Sequence, residues 1–373
     1  MAGSSGTDGS HGNGADGSSG GGGPEPARGG RPGVAERFAE FRNSPFLPAL
    51  VILVIAAAMA GLFAGSYTYA MANPTPREIP VAVVGAPSTA QEAAFVSGME
   101  KGLGASLELH PYGSGPAARR AVEEQRVFAI LTFRPAGVGL AVVSAAGASV
   151  AELLAETAPH VARATGVPVR VTDIKPLQKG DPRGLALFYI TLASVIVGFL
   201  GALQLSIHAK ELNPGERIGF IAANGLLGGF AIAAGVDWQL GAVDLPFAES
   251  WLILALTMFT SGMVFTMFNT LVGRWAVLPT WGLMVILGNP SSGGAVSWPL
   301  LPSLLGHVGR WLPPGASVNA QHAAVYFSDD QRAFPFLVLA GWALLATGVF
   351  WFLRDRHPGG RVSRSGAFNA MPG

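Results

Sequence analysis

The chain has 373 residues, 50% of them apolar, only 13% charged and none of them cysteine. An average soluble domain carries about 25% charged residues, so this chain lacks the charge to solvate an ordinary globular surface. That excludes a soluble enzyme and points to an integral membrane protein. Without cysteine there are no disulfides, thiolate nucleophiles or Cys-ligated metal sites. A net charge of +1 gives no reason to expect a nucleic-acid partner.

Residues 1–33 hold 13 glycines and almost nothing to bury, which predicts a disordered Gly/Ser-rich cytoplasmic tail. Residues 34–43 (VAERFAEFRN) place Val34, Phe38 and Phe41 at helical spacing with charges between them. That pattern predicts a short amphipathic helix at the membrane surface. The first span follows over residues 46–72, free of charge and long enough for a hydrocarbon core of about 30 Å. Its long polar leader and long apolar run set it apart from a signal peptide.

Polar residues return over residues 73–183. Strands are expected at 79–85 (IPVAVVG), 106–110, 128–133 (FAILTF), 138–144 (VGLAVVS) and 167–173, and helices at 89–103, 116–126 and 149–164. Strands alternating with helices predict a small α/β domain inserted between the first and second spans. After Arg183 further spans are expected near 185–207, 218–236, 251–273, 275–287 and 334–353, giving a five-helix block over 185–353. Residues 299–312 (PLLPSLLGHVGRWL) contain Pro302, His307 and Arg310, and read as a re-entrant or amphipathic helix. The tail over 354–373 is polar and basic.

Arginines and lysines set the expected orientation. They cluster before span one, after span two (Lys210, Arg217), after span four (Arg274) and in the tail, whereas residues 237–250 have none. The fold class expected is thus a polytopic α-helical protein with six transmembrane helices, both termini cytoplasmic and the α/β domain extracytoplasmic. The expected location is the plasma membrane, with the lipid bilayer as a partner.

Site motifs are sparse. No Gly-Lys-Ser/Thr phosphate loop occurs, so any ATPase must be a separate chain. The seven histidines form no His-x-x-x-His pair and read as surface or interfacial residues, and no Gly-x-Ser-x-Gly elbow is present. No enzyme activity, catalytic residue, metal or cofactor is therefore expected. The spans carry essentially no carboxylate, which argues against ion-coupled secondary transport. Gln204, Asn224, Asn269 and Thr270 are the polar groups within them, suited to interhelical hydrogen bonds or to lining a substrate path. Gly61-x-x-x-Gly65 and Gly225-x-x-x-Gly229 allow close helix approach. The loop over 208–217 (HAKELNPGER) serves as a connector or as a docking surface for a cytoplasmic ATPase, through Lys210, Glu211, Glu216 and Arg217.

One span, an α/β insertion and five hydrophobic segments form a layout that resembles the ABC-2-type transporter permeases, in the phage infection protein-like branch. The resemblance rests on residues 79–85, on PAARRAVEEQRVFAILTF before a buried strand, and on LGNPSSGGAVSWPLLP and LPPGASVNAQHAAVYF between the last two spans. It implies export of a hydrophobic or amphipathic compound, a separate nucleotide-binding ATPase, a homodimer, and a coupling element at 208–217. The alternative class is a non-transporting scaffold or sensor that binds a ligand or envelope component through the α/β domain.

Overall fold

A computed structural model describes Ser44 and residues 46–72, 76–330 and 332–354. The expected leader (1–33), surface helix (34–43) and tail beyond Arg354 lie outside the described residues. The chain divides into two units, Met1–Ala57 and Ala58–Gly373. The described part of the first is essentially the leading half of helix α1 (Phe46–Met71), 26 residues without a charge.

The second unit contains a five-stranded sheet with the order β2-β1-β3-β4-β5. Its elements are β1 (Ile79–Val84), α2 (Ala90–Leu103), β2 (Leu107–Tyr112), α3 (Gly115–Glu123), β3 (Ala129–Arg134), β4 (Gly137–Val142), α4 (Ala148–Thr165) and β5 (Val169–Asp173). All pairs are parallel except the β3–β4 hairpin. Side chains alternate across a strand, and β1 shows the result. Val81 and Val83 face Phe95 of α2 and Leu154 of α4, whereas Ala82 faces Ala118 and Ala121 of α3. The sheet is therefore buried on both faces.

Helix ends follow local chemistry. Thr89 and Glu92 form a reciprocal capping box at the start of α2, and Gly104 ends it at φ 65°. The Glu92 carboxyl is held below its usual range by hydrogen bonds from the Ser88 backbone and hydroxyl.

Among the described residues, five helices are long and apolar enough to cross a membrane, which is compatible with a multi-pass membrane protein. After α1 they are α5 (Ala186–His208), α6 (Pro214–Ala234, running on as a π-helical turn to Gln239), α7 (Phe247–Val272) and α11 (Phe334–Arg354). The span expected over 275–287 is instead a short apolar helix, Val277–Gly288, α8 being its first turn (Val277–Trp281). At about 1.5 Å per residue it cannot cross a core of about 30 Å.

The segment before α11 also differs from expectation. Only Ser303–Gly309 of the expected 299–312 helix is α-helical (α9), while residues 313–326, part of the stretch between the last two expected spans, form a buried helix α10 (Pro313–Tyr326). Two prolines open α10, where their missing N–H groups cost nothing. Its small residues then let it fit among α5, α7 and α11. Two of its polar side chains bond to neighbouring helices: Thr257 donates to the Ser317 hydroxyl at 2.7 Å, and the Gln321 amide donates to the Ser250 carbonyl at 2.9 Å.

The sheet and the helical block share their cores. Leu300 completes the apolar layer on the α2/α4 face, and Phe327, just after α10, completes the layer on the α3 face. The linker from β5 to α5 is clamped as well, since the Gln178 carboxamide accepts from Asp244 N–H at 2.7 Å and donates to its carbonyl at 3.1 Å. Buried Asp181 then accepts from the backbone N–H groups of Leu185 and Ala186, both at 2.9 Å, at the start of α5. A carboxylate there satisfies two free donors and faces the positive helix end. Asp181→Ala is expected to cost about 1–2 kcal/mol, with Asp181→Asn costing less, by thermal unfolding in detergent.

Candidate functional site

A large concavity, about 1350 Å³, lies where the α/β domain meets the helical block. The α/β domain contributes the stretch after β4 and the start of α4, including Ser144, Gly147, Ser149 and Glu152. The block contributes the Ser291–Gly294 stretch, the exposed face of α9, and Val318, Asn319 and His322 of α10. Arg183, Gly184 and Leu185, which lead into α5, and Phe334 and Pro335, which open α11, complete the lining.

Several contacts fix this seam. The Ser149 hydroxyl donates to Ser297 Oγ at 2.9 Å and accepts from Ser297 N–H at 3.0 Å. Gly147 lies so close that a Cβ there would stand 2.4 Å from Ser297 Oγ and 2.7 Å from the Phe128 ring. Phe128 in turn meets Trp298 edge-on, with centroids 5.7 Å apart.

The lining charges divide by how they are engaged. Asp173 accepts from the Ser144 hydroxyl and from Lys175 N–H, and Arg332 donates to the Glu124 carbonyl. Arg77, Arg183 and Arg310 enter no ion pair among the described residues, and neither do Glu78 and Glu152. Burial pushes the His322 imidazole below its usual range, against the opposing influence of the Ala145 backbone and Asp181. His322 was expected at a surface or interface. The helical face it shares with Asn319 instead looks into the cavity.

The residues singled out in the spans lie elsewhere. Gln204 is exposed on α5, and the Asn224 carboxamide of α6 covers Gly201, where a Cβ would meet its Nδ2 at 2.5 Å. The Asn269 carbonyl accepts from Gly273 N–H, and Thr270 donates to the Thr266 carbonyl at 3.0 Å. None of the four lines the cavity. Gly225 and Gly229 are buried against α7, where added Cβ atoms would stand 2.7 Å from the Ala255 carbonyl oxygen and 2.8 Å from its nitrogen. Gly61 and Gly65 have no atom within 4 Å of such a position.

In the 208–217 loop, Lys210, Glu211 and Glu216 are exposed, and Asn213 with Glu216 forms a capping box for α6. Arg217 is not at the surface. It is 4% exposed and donates to Ser206 Oγ at 3.2 Å and the Ala209 carbonyl at 3.1 Å. Arg354, ending α11, donates to the Leu212 carbonyl at 2.8 Å. Two arginines thus hold the loop from behind while the other three charges face outward.

The seam residues escape sequence reasoning because they are ordinary Ser, Asn, His and Arg with no common spacing. The one available signal was the polarity of residues 313–326 between two hydrophobic runs. No group of three His, Asp or Glu close enough to hold a metal ion occurs among the described residues. Compared with known proteins, the chain matches no family model, no curated protein and no solved structure.

Proposed function

We propose that this chain is the membrane subunit of an ABC-2-type exporter of a hydrophobic or amphipathic compound, powered by a separate ATPase. The observation that carries the reading is the order of elements. One long apolar helix, an α/β domain and three long apolar helices are followed by a short helix and the α9–α10 pair before the last long helix. In this reading the short helix Val277–Gly288 is the fifth crossing, completed by non-helical chain that protein buries, as irregular backbone at membrane depth requires. Both termini are cytoplasmic, the α/β domain is extracytoplasmic, and two copies pair in the plasma membrane.

The 208–217 loop is the ATPase contact in this reading. Its exposed Lys210, Glu211 and Glu216 suit a charged partner, and the arginines behind it transmit force rather than let it flex. The ATPase that co-purifies with the full chain is expected to hydrolyse ATP faster in its presence. The double reversal Lys210→Glu with Glu216→Lys is expected to remove that stimulation. If no ATPase co-purifies, or none is stimulated, the exporter reading fails.

The seam cavity favours a second reading, a membrane sensor or scaffold that captures a ligand without moving it. Because Leu300 and Phe327 complete the α/β domain, deleting that domain would strip the block as well. Point changes in the cavity separate the two readings cleanly. Capture lost with no change in transport supports the sensor.

A further inference from the structure

We propose that the seam cavity binds a single-chain anionic amphiphile, an acyl chain ending in a carboxylate, drawn from the membrane surface. The site rests on the membrane reading of the long helices and not on ATP-driven export, so it stands or falls separately from the ATPase test.

Its level in the molecule suits an amphiphile. The residues leading into α5 and the opening residues of α11 both line the cavity. Two long apolar helices start there, so the cavity opens at the depth where they leave the bilayer, which is where amphiphiles reside. The rim has the composition of that zone. Trp298, Trp311 and Phe334 are 49%, 55% and 37% exposed and all line the cavity. Trp311 packs edge-on to Phe334 at 4.8 Å, and aromatic rings with one wet edge favour membrane interfaces.

Two of the lining charges suit an anion. Arg183 and Arg310 are exposed lining residues without a carboxylate partner, and Arg310 lies 3.2 Å from the His307 ring rather than against an acid. Glu78 and Glu152 are lining acids likewise outside any ion pair, and Asp173 accepts from the Ser144 hydroxyl and the Lys175 backbone N–H, so the anion is held locally by the arginines and not by the net charge of the lining. A guanidinium at a membrane surface pairs readily with a carboxylate. The volume of about 1350 Å³ is ample for such a molecule, since roughly 300–1,000 Å³ holds a drug-sized ligand. Inside, the small side chains of Ala148 and Ala155 line the chamber, and Asn319 and His322 supply polar contacts.

The test uses the full chain in nanodiscs of zwitterionic phosphatidylcholine, with a photoreactive diazirine palmitate and the matching fatty alcohol. Palmitate is expected to crosslink to the cavity walls at residues 144–155, 291–299 or 318–323, in competition with unlabelled palmitate but not with inorganic phosphate. The alcohol, and palmitate on the Arg183→Gln, Arg310→Gln double variant, should label those walls about tenfold less, the loss of one charge-assisted contact. Both arginines are exposed and unpaired, so unfolding is not expected, and an unchanged melting temperature checks this. Ala155→Trp, which fills the chamber from α4, should abolish wall labelling without touching a charge. Crosslinks confined to the lipid-facing side chains of the long helices, or equal labelling by acid and alcohol, would overturn the proposal.

Discussion

Gly198→Ala is expected to destabilise the helical block by about 1–3 kcal/mol, the usual cost of forcing extra volume into a packed core. An added Cβ at this position would stand 2.5 Å from the Met258 carbonyl oxygen and 2.8 Å from its Cα. Both are backbone atoms of α7, the most buried of the long helices, so no side-chain rotation relieves the overlap. Nor can α7 retreat. Gly225 and Gly229 of α6 press its backbone at Ala255, and Thr260 reaches the Leu339 carbonyl of α11 at 3.5 Å. The neighbouring contact is equally tight, because a Cβ on Gly262 would stand 2.8 Å from Ile221. Gly219 of α6 is the control, with nothing within 4 Å of its Cβ position. Gly219→Ala is expected to be neutral or to stabilise by up to about 1 kcal/mol, through helix propensity alone. Thermal unfolding in detergent should separate the two variants by several degrees. Equal melting temperatures would mean that α5 and α7 do not cross at Gly198.

Much of this architecture was legible because the signals were local. The apolar run at 79–85 is β1, Thr89 with Glu92 marks the start of α2, and the long charge-free runs are α1, α5, α6, α7 and α11. What was hidden depends on packing between distant segments. Residues 313–326 have the composition of a loop, yet they are helical because Thr191, Ser250 and Thr257 of other helices meet their polar groups. The run at 275–287 reads as a span by hydropathy alone, but Pro314 packs against Gly288 where it ends. The small-residue pattern Gly225-x-x-x-Gly229 was visible. Its partner surface on α7, and the matching role of Gly198 and Gly262, belong to three-dimensional contact and leave no mark in the spacing. The seam cavity is the extreme case, since its walls come from segments more than 140 residues apart, as with Ser149 and Ser297.

Phe327→Ala is expected to have a larger effect, about 3–5 kcal/mol, the range for truncating a fully buried phenylalanine. The ring is 2% exposed and packs with Ala82, Ile130 and Val143 of the α/β domain, although it is carried by the chain that leaves α10. Lys175 Nζ lies 4.5 Å from the ring centroid and also pairs with Glu123 of α3. Its ammonium adds about 0.5–2 kcal/mol to what the ring holds together. Truncation therefore acts on three elements at once: it uncovers the α3 face of the sheet, removes the platform under Lys175, and frees the end of α10 from the domain. The expected result is a lower melting temperature together with new proteolytic cleavage in the linker at residues 174–184, which the same seam protects. Phe95→Ala makes the informative comparison, because Phe95 is equally buried but lies in the core formed with α4 and the other face of the sheet. It should destabilise by a similar amount without first exposing that linker. If both variants open the linker equally, the domain and the block melt as one unit; if Phe327→Ala leaves it protected, the other contacts across the seam, Leu300, Ser149 with Ser297, and Gln178 with Asp244, suffice to hold the two together.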